Sequence, residues 1–306
     1  MYFELKILGS NSATPVFNRH QTAQTLQIEN EFFLIDCGEG TQMQLSKYKV
    51  KISKINYIFI SHLHGDHYLG LVGLISTMHL FGRTKDLHIF GPPGLAEIIT
   101  VQFKYSETVL NFHVIFKVLE TEKNEIILRL PNVTIETIPL FHRIACCGFL
   151  FKETPKKRRI KKELMPEGIS LQAIAQLKKG EDILDANGAI KYSVEELTWP
   201  RRKSCSYAYM SDTSYNESYL ELIKDTDLLY HEATFLHELE KRAEDTHHTT
   251  ALQAAQFASK AAVKKLVIGH FSSRYKDLTP LLQEAKRYFK NTYLAIEGES
   301  FSISDE

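Results

Sequence analysis

Residues 57–70 read YIFISHLHGDHYLG, with His62, His64, Asp66 and His67 gathered within six positions behind an apolar, strand-like run. Neutral imidazoles and a carboxylate suit Zn²⁺, with Mn²⁺ or Fe²⁺ as competitors, and no nearby thiolate is available for a Cys-type structural site. His62 and His64 are two apart, so at the end of an extended strand their side chains point the same way. Asp66 and His67 follow on the next turn. Catalytic zinc commonly keeps three protein ligands plus water, so four ligands here and His142, Asp212 and His270 downstream imply two ions sharing a bridging group. Asp212, with two carboxylate oxygens, is the natural bridge. A lone histidine in a polar turn is ordinary surface, whereas HxHxDH closing a strand is a specific metal signature.

These residues must be placed by the elements that carry them. Runs rich in β-branched and aromatic residues, FFLIDCGEG, NYIFISHLHGDH, VTIETIPLFH, SYAYMSDT and KKLVIGHFSSRY, stop at Asp36, His62, His142, Asp212 and His270. Between them lie helical patterns, YLGLVGLISTMHLFG after His67 and the alanine-rich TTALQAAQFASKAAV, which Thr249 or Thr250 is placed to cap. Strands alternating with helices predict an α/β fold, in which sites gather at the carboxyl ends of strands. No fixed-period repeat is evident, which argues against a solenoid or propeller.

Composition sets the outer limits. The 306-residue chain is 43% hydrophobic and carries 37 basic and 37 acidic side chains, so nucleic-acid binding would need a local basic patch rather than an overall field. Cys37, Cys146, Cys147 and Cys205 form no CxxC pair, which suits reduced thiols. The start, MYFELKILGS, lacks a signal-peptide pattern, and no stretch is long and apolar enough to span a bilayer. A cytoplasmic protein without a membrane anchor is expected. Residues 152–203 break the strand–helix alternation and carry basic clusters at 156–162 and 201–203, so they read as an insertion within one domain spanning 1–306.

SHLHGDH resembles the signature of the metallo-β-lactamase superfamily, which implies a four-layer αββα sandwich with two metals at one edge. ILGSNSATP, FLIDCGEGTQMQL, IFGPPGL, LLYHEATF, HHTTALQAA and GHFSSRY, met in order along nearly the whole chain, resemble ribonuclease Z, the endonuclease that removes the 3′ trailer of precursor tRNA. The HEAT-type and HFSxRY motifs are far more specific than HxHxDH. Carried over by position, the resemblance implies one zinc on His62, His64 and His142, a second on Asp66, His67 and His270, and Asp212 between them. Asp36 would be a structural acidic residue near the site and not a ligand.

The resemblance also implies the chemistry. Hydroxide held between two Zn²⁺ ions attacks the phosphodiester and leaves a 3′-hydroxyl on the tRNA, while the ions neutralise developing charge. Asp66 is cast as proton acceptor, although a metal-bound carboxylate is a weak base and its role is expected to include orientation. His248, paired with Glu232, is cast as the acid for the departing 3′ oxygen; its choice over His247 rests on the HHTT alignment. Arg274 and Tyr275 are candidate phosphate contacts. Residues 152–203 would be the family's flexible arm, with Lys156, Lys157, Arg158 and Arg159 binding tRNA phosphates without reading sequence. A homodimer is expected on the same ground.

Two departures stand out. The Gly-Pro-rich middle usual in such arms is replaced by LMPEGISLQAIAQLKKGEDI, and Ser211 precedes Asp212 where glycine is usual. Two rival functions, a small-molecule hydrolase of the same fold and a catalytically silent RNA-binding protein, fit less well. The first needs no basic arm and no HFSxRY motif, and the second would not need every ligand and both proton-transfer residues.

Overall fold

The computed structural model describes residues 2–303. They divide into two compact units, residues 2–152 with 206–303, and residues 153–205. The expected insertion was 152–203.

The first unit holds two seven-stranded sheets. In one, the antiparallel strands Phe3–Gly9 and Ala23–Ile28 lead into Glu31–Cys37, which pairs in parallel with Ile55–Phe59, itself parallel to Leu87–Gly91. In the other, Cys147–Glu153 pairs antiparallel to Ser206–Met210, which continues in parallel through Leu228–Glu232 and Lys265–Gly269. The parallel strands read as nearly unbroken apolar runs because both of their faces are covered. Leu228–Glu232 is buried throughout.

Between the sheets lies an aromatic layer. The Phe33 and Phe151 rings stand 5.5 Å apart, and Phe59 meets Phe149 at 5.3 Å. Each such ring removes on the order of 200 Å² from water, about 5 kcal/mol before conformational entropy is counted. Helices cover the outer faces. Leu71–Leu80 buries Leu71, Leu74, Ile75 and Met78, the i, i+3, i+4, i+7 stripe of an amphipathic helix. Its entry is fixed by Gly70, where a Cβ would overlap the Gly38 carbonyl oxygen, so the helix start sits directly on the Cys37–Gly38 backbone. Ala251–Lys260 presents Ala251, Ala254, Ala255 and Ala258 to the second sheet, and small side chains allow close approach. Thr250 is its cap, in a reciprocal capping box with Gln253. Two helix–sheet layers back to back make the αββα sandwich.

The second unit has a core of its own. Leu177, Val194 and Leu197 are buried against Ile160, Met165, Ile169, Ile183 and Tyr192. The helix Leu171–Lys179 accounts for the atypical ISLQAIAQLKKG stretch: Ser170 caps it by accepting from the Ala173 N–H, and Gly180 closes it at φ +93°.

Candidate metal centre and active site

The strand ends behave as the chain's pattern suggests. Asp36 lies inside Glu31–Cys37, while His62, His142, Asp212 and His270 fall one to three residues past Ile55–Phe59, Val133–Pro139, Ser206–Met210 and Lys265–Gly269. Asp36, Asp212 and His270 all adopt left-handed backbone, at φ +54°, +58° and +56°. Non-glycine residues are held there only where surrounding contacts over-determine them.

Seven side chains converge in two clusters. Ligand atoms of His62, His64, His142 and Asp212 lie within 4.8 Å of one another, as do those of Asp66, His67 and His270. His62 Nε2 and His142 Nε2 stand 3.0 and 3.2 Å from His64 Nδ1. His67 Nε2 and His270 Nε2 stand 3.5 and 3.4 Å from Asp66 Oδ2. Asp212 divides between the clusters: Oδ2 is 3.6 Å from His62 Nε2, and Oδ1 is 3.3 and 3.2 Å from His67 and His270 Nε2.

These atoms fit divalent cations. Four ligands at the 2.0–2.1 Å bond length of zinc sit about 3.3 Å apart around a tetrahedron, close to the spacings found. Burial holds His62, and His142 at about 4, below the ordinary imidazole range, so both keep lone pairs free at neutral pH. Burial also opposes charge on His67, but Asp212, Asp66 and Asp36 outweigh it and push that ring well upward. The pocket recruits positive charge, which a divalent ion supplies. His67 Nε2 is itself buried without a hydrogen-bond partner, the orphan expected of a ligand atom.

The other nitrogen of most rings is already engaged. His67 Nδ1 lies 2.7 Å from Asp36 Oδ2, His142 Nδ1 3.0 Å from the His247 carbonyl, and His62 Nδ1 3.0 Å from Ser61 Oγ. Asp36 is not among the clustered ligand atoms. It also accepts from the Ser61 N–H at 2.8 Å, the Ser61 hydroxyl at 2.9 Å and, from the opposite sheet, the Tyr209 hydroxyl at 2.6 Å. Such partners fix ring orientation and tautomer. Ser211 donates at 2.8 Å to Asp212 Oδ1, so a side chain is added to the turn where glycine is usual.

His248 and Glu232 form a separate pair. His248 Nδ1 is 2.8 Å from Glu232 Oε1. The carboxylate also accepts from Thr213 N–H at 2.9 Å, Thr249 N–H at 3.1 Å and Thr234 Oγ1 at 2.5 Å. Four donors leave it no proton to move. Burial works against charge on His248, but the Glu232 carboxylate overcomes it and raises the ring to about 9. His248 also stands in a group with Asp212 and His270 whose ligand atoms lie within 4.8 Å. A ring that favours its proton is a poorer ligand than His62 or His142.

Residues that a sequence cannot flag complete the site. The Ala13 N–H donates to Asp66 Oδ2 at 2.8 Å. The segment carrying it is stitched to the HFSSRY motif through Ser12 N–H to the Phe271 carbonyl and by Arg19 to the Tyr275 and Lys276 carbonyls. Tyr275 turns its hydroxyl to the Leu236 N–H at 3.1 Å, while the exposed Arg274 lies over Phe235. A cleft of about 410 Å³ opens here, lined by His64, Asp66, His142, Asp212, His248 and His270 among others. In the second unit, Lys156 pairs with Glu153 and Arg158 with Glu195, whereas Lys157 and Arg159 are exposed.

Fold and ligand clusters together define a protein of the metallo-β-lactamase fold. Solved structures agree: the short form of human tRNase Z aligns with a TM-score of 0.72 at 27% identity, covering 99% of this chain and all of that one. The metallo-β-lactamase fold protein YhfI from Bacillus subtilis aligns with a TM-score of 0.69 at 19% identity, covering 99% and 100%. Ribonuclease Z of Cytophaga hutchinsonii is 59% identical over the whole chain and 97% of the relative, and that of Bacteroides thetaiotaomicron is 45% identical over 99% and 96%. The chain belongs to the ribonuclease Z family. Residues 3–159 also match the family model described as anti-Pycsar protein Apyc1. That match includes His62, His64, Asp66, His67 and His142 but stops short of Asp212, Glu232, His248 and His270, so it covers only part of each ligand cluster.

Proposed function

We propose that the protein is a zinc-dependent endoribonuclease that removes the 3′ trailer from precursor tRNA and leaves a 3′-hydroxyl on the tRNA. The observation that carries this reading is a pair of His/Asp ligand clusters with His248, held on Glu232, beside them in one cleft, in a chain 59% identical end to end to a ribonuclease Z. His62, His64 and His142 hold one ion, Asp66, His67 and His270 the other, and Asp212 lies between. When bound, two zinc ions supply an acidified water and neutralise charge on the phosphodiester. Asp66, whose Oδ2 accepts from Ala13 N–H and faces two imidazoles, is held strongly ionised by His67 and His270 despite its burial, so it orients more than it takes up protons. His248 keeps Nδ1 on Glu232 and delivers the proton on Nε2 to the departing 3′ oxygen.

A cleft of about 410 Å³ receives only the scissile region of a tRNA, so affinity must come from outside it. The exposed Lys157 and Arg159 of the second unit supply phosphate contacts that accept many tRNAs alike. Arg274, exposed beside the cleft-forming motif, is a further phosphate contact. The working form is a cytoplasmic homodimer.

The test incubates purified protein with precursor tRNA bearing a 3′ trailer, with and without a chelator. One cut at the trailer boundary, lost on chelation and in Asp66→Ala, is expected. Rapid hydrolysis of a lactone while precursor tRNA stays intact overturns the assignment.

A further inference from the structure

Several of the ligand rings are oriented through their second nitrogen, but in different ways. His67 leans on a carboxylate and His142 on a main-chain carbonyl. His270 leans on a hydroxyl: its Nδ1 lies 3.0 Å from Thr234 Oγ1. That oxygen is also 2.5 Å from Glu232 Oε2, and Glu232 Oε1 holds His248. Thr234 Oγ1 has one proton. The Glu232 carboxylate is a stronger acceptor than the His270 carbonyl, 3.0 Å away, and takes it. The hydroxyl then accepts from His270 Nδ1–H, which leaves the His270 Nε2 lone pair facing Asp66 and Asp212. Two links run from His270 through Thr234 to Glu232, and a third reaches the same carboxylate from His248, so donors converge on Glu232 from both sides.

Thr234 is buried, and its main chain is pinned independently, its N–H to the Thr249 carbonyl at 3.1 Å and its carbonyl to the Ser272 N–H at 3.2 Å. One buried hydroxyl on a fixed main chain thus meets both partners.

We propose that Thr234 is a positioning residue that ties the His270 ring to the Glu232–His248 pair, so that one hydroxyl sets both a cation ligand and the proton donor. This rests on reading the cleft as a hydrolytic metal centre. Removing the hydroxyl frees the His270 ring and takes one of four donors from Glu232. Valine matches threonine in shape and lacks only the hydroxyl; serine keeps the hydroxyl and lacks the methyl.

The experiment uses the full chain as Thr234→Val and Thr234→Ser, each also in a His248→Ala background. Stripped protein is titrated with Zn²⁺ alone against a chromophoric chelator, and cleavage of precursor tRNA is followed at saturating Zn²⁺. In Thr234→Val one of two Zn²⁺ equivalents should weaken about 10- to 100-fold, the scale of losing a ligand's hydrogen-bond partner. Thr234→Ser should stay within about twofold of the parent for Zn²⁺ and for kcat, because the bridging group is retained. In the His248→Ala background the valine change should cost no further kcat, while its Zn²⁺ defect persists. Two Zn²⁺ bound by Thr234→Val as tightly as by the parent overturns the proposal. So does a serine variant as defective as the valine one, since the methyl would then be what matters. Because Zn²⁺ binding is read without substrate, a parent that leaves precursor tRNA uncut refutes the assigned reaction and leaves the positioning role measurable.

Discussion

Glu232→Gln isolates the electrostatic part of the Glu232–His248 pair with little change in shape. In the parent, four donors converge on a carboxylate that carries no proton of its own. An amide presents an NH₂ group to two of them, and each mismatch costs about 1–3 kcal/mol in a buried setting. His248 loses its anionic partner as well. The gap between about 9 and the ordinary imidazole value of 6.5 corresponds to about 3 kcal/mol favouring the proton. If the ring returned to its ordinary value, its protonated fraction at pH 8 would fall about thirtyfold, yet at pH 6 it would fall less than twofold. Cations in the cleft pull the ring down in both proteins, so the contrast survives while the window moves to lower pH. The assay is single-turnover cleavage of precursor tRNA from pH 5.5 to 9. The variant should approach the parent in acid and lag far behind in base. A loss of the same size at every pH would falsify the assignment of His248 as proton donor and leave Glu232 a purely structural group.

Asp36→Asn should weaken Zn²⁺ binding about 10- to 100-fold while leaving the ligand set intact, because His67 loses its carboxylate partner; unchanged Zn²⁺ affinity by chelator competition contradicts this. In the metal-free protein the His67 imidazolium, raised well above 6.5, contributes stability that is complete below that value and lost as pH rises through the raised one. Its proton must leave on metal loading, so the calorimetric enthalpy of Zn²⁺ binding at pH 7 should depend on the buffer's ionisation enthalpy, and identical enthalpies in two such buffers would refute it. Lys157→Ala with Arg159→Ala should raise KM for precursor tRNA severalfold and flatten its salt dependence, with cleavage of a small phosphodiester untouched. Equal losses on both substrates would remove the second unit from tRNA binding.

Much of the site was legible because ligands must sit at strand ends, and strand ends are visible as apolar runs that stop. That rule marks His62, His142, Asp212 and His270, but it marks Asp36 as well, and the motifs were needed to set Asp36 apart from the clustered atoms. Asp36 was recognisable as acidic and close, but its fourth donor, Tyr209, comes from the other sheet, 173 residues away, and no local pattern encodes that pairing. The Ala13 N–H on Asp66 and the Thr213 and Thr249 N–H groups on Glu232 are main-chain contacts, which any residue type but proline could provide. Thr249 and Thr250 looked interchangeable as helix caps. Thr250 caps, and Thr249 instead serves Glu232 and the Thr213 carbonyl. In the second unit, charge suggested that four neighbouring basic residues share one role. They do not: Lys156 and Arg158 both find acidic partners, Glu153 and Glu195, while Lys157 and Arg159 stay exposed.

Left-handed backbone at Asp36, Asp212 and His270 bears on laboratory evolution. Each holds roughly 1–3 kcal/mol of conformational strain that glycine would release. A library screened only for heat resistance, in chelator, would therefore reward glycine only where the strain released exceeds the hydrogen bonds lost, and Asp36, with four donors on its carboxylate, would be the last of the three to change.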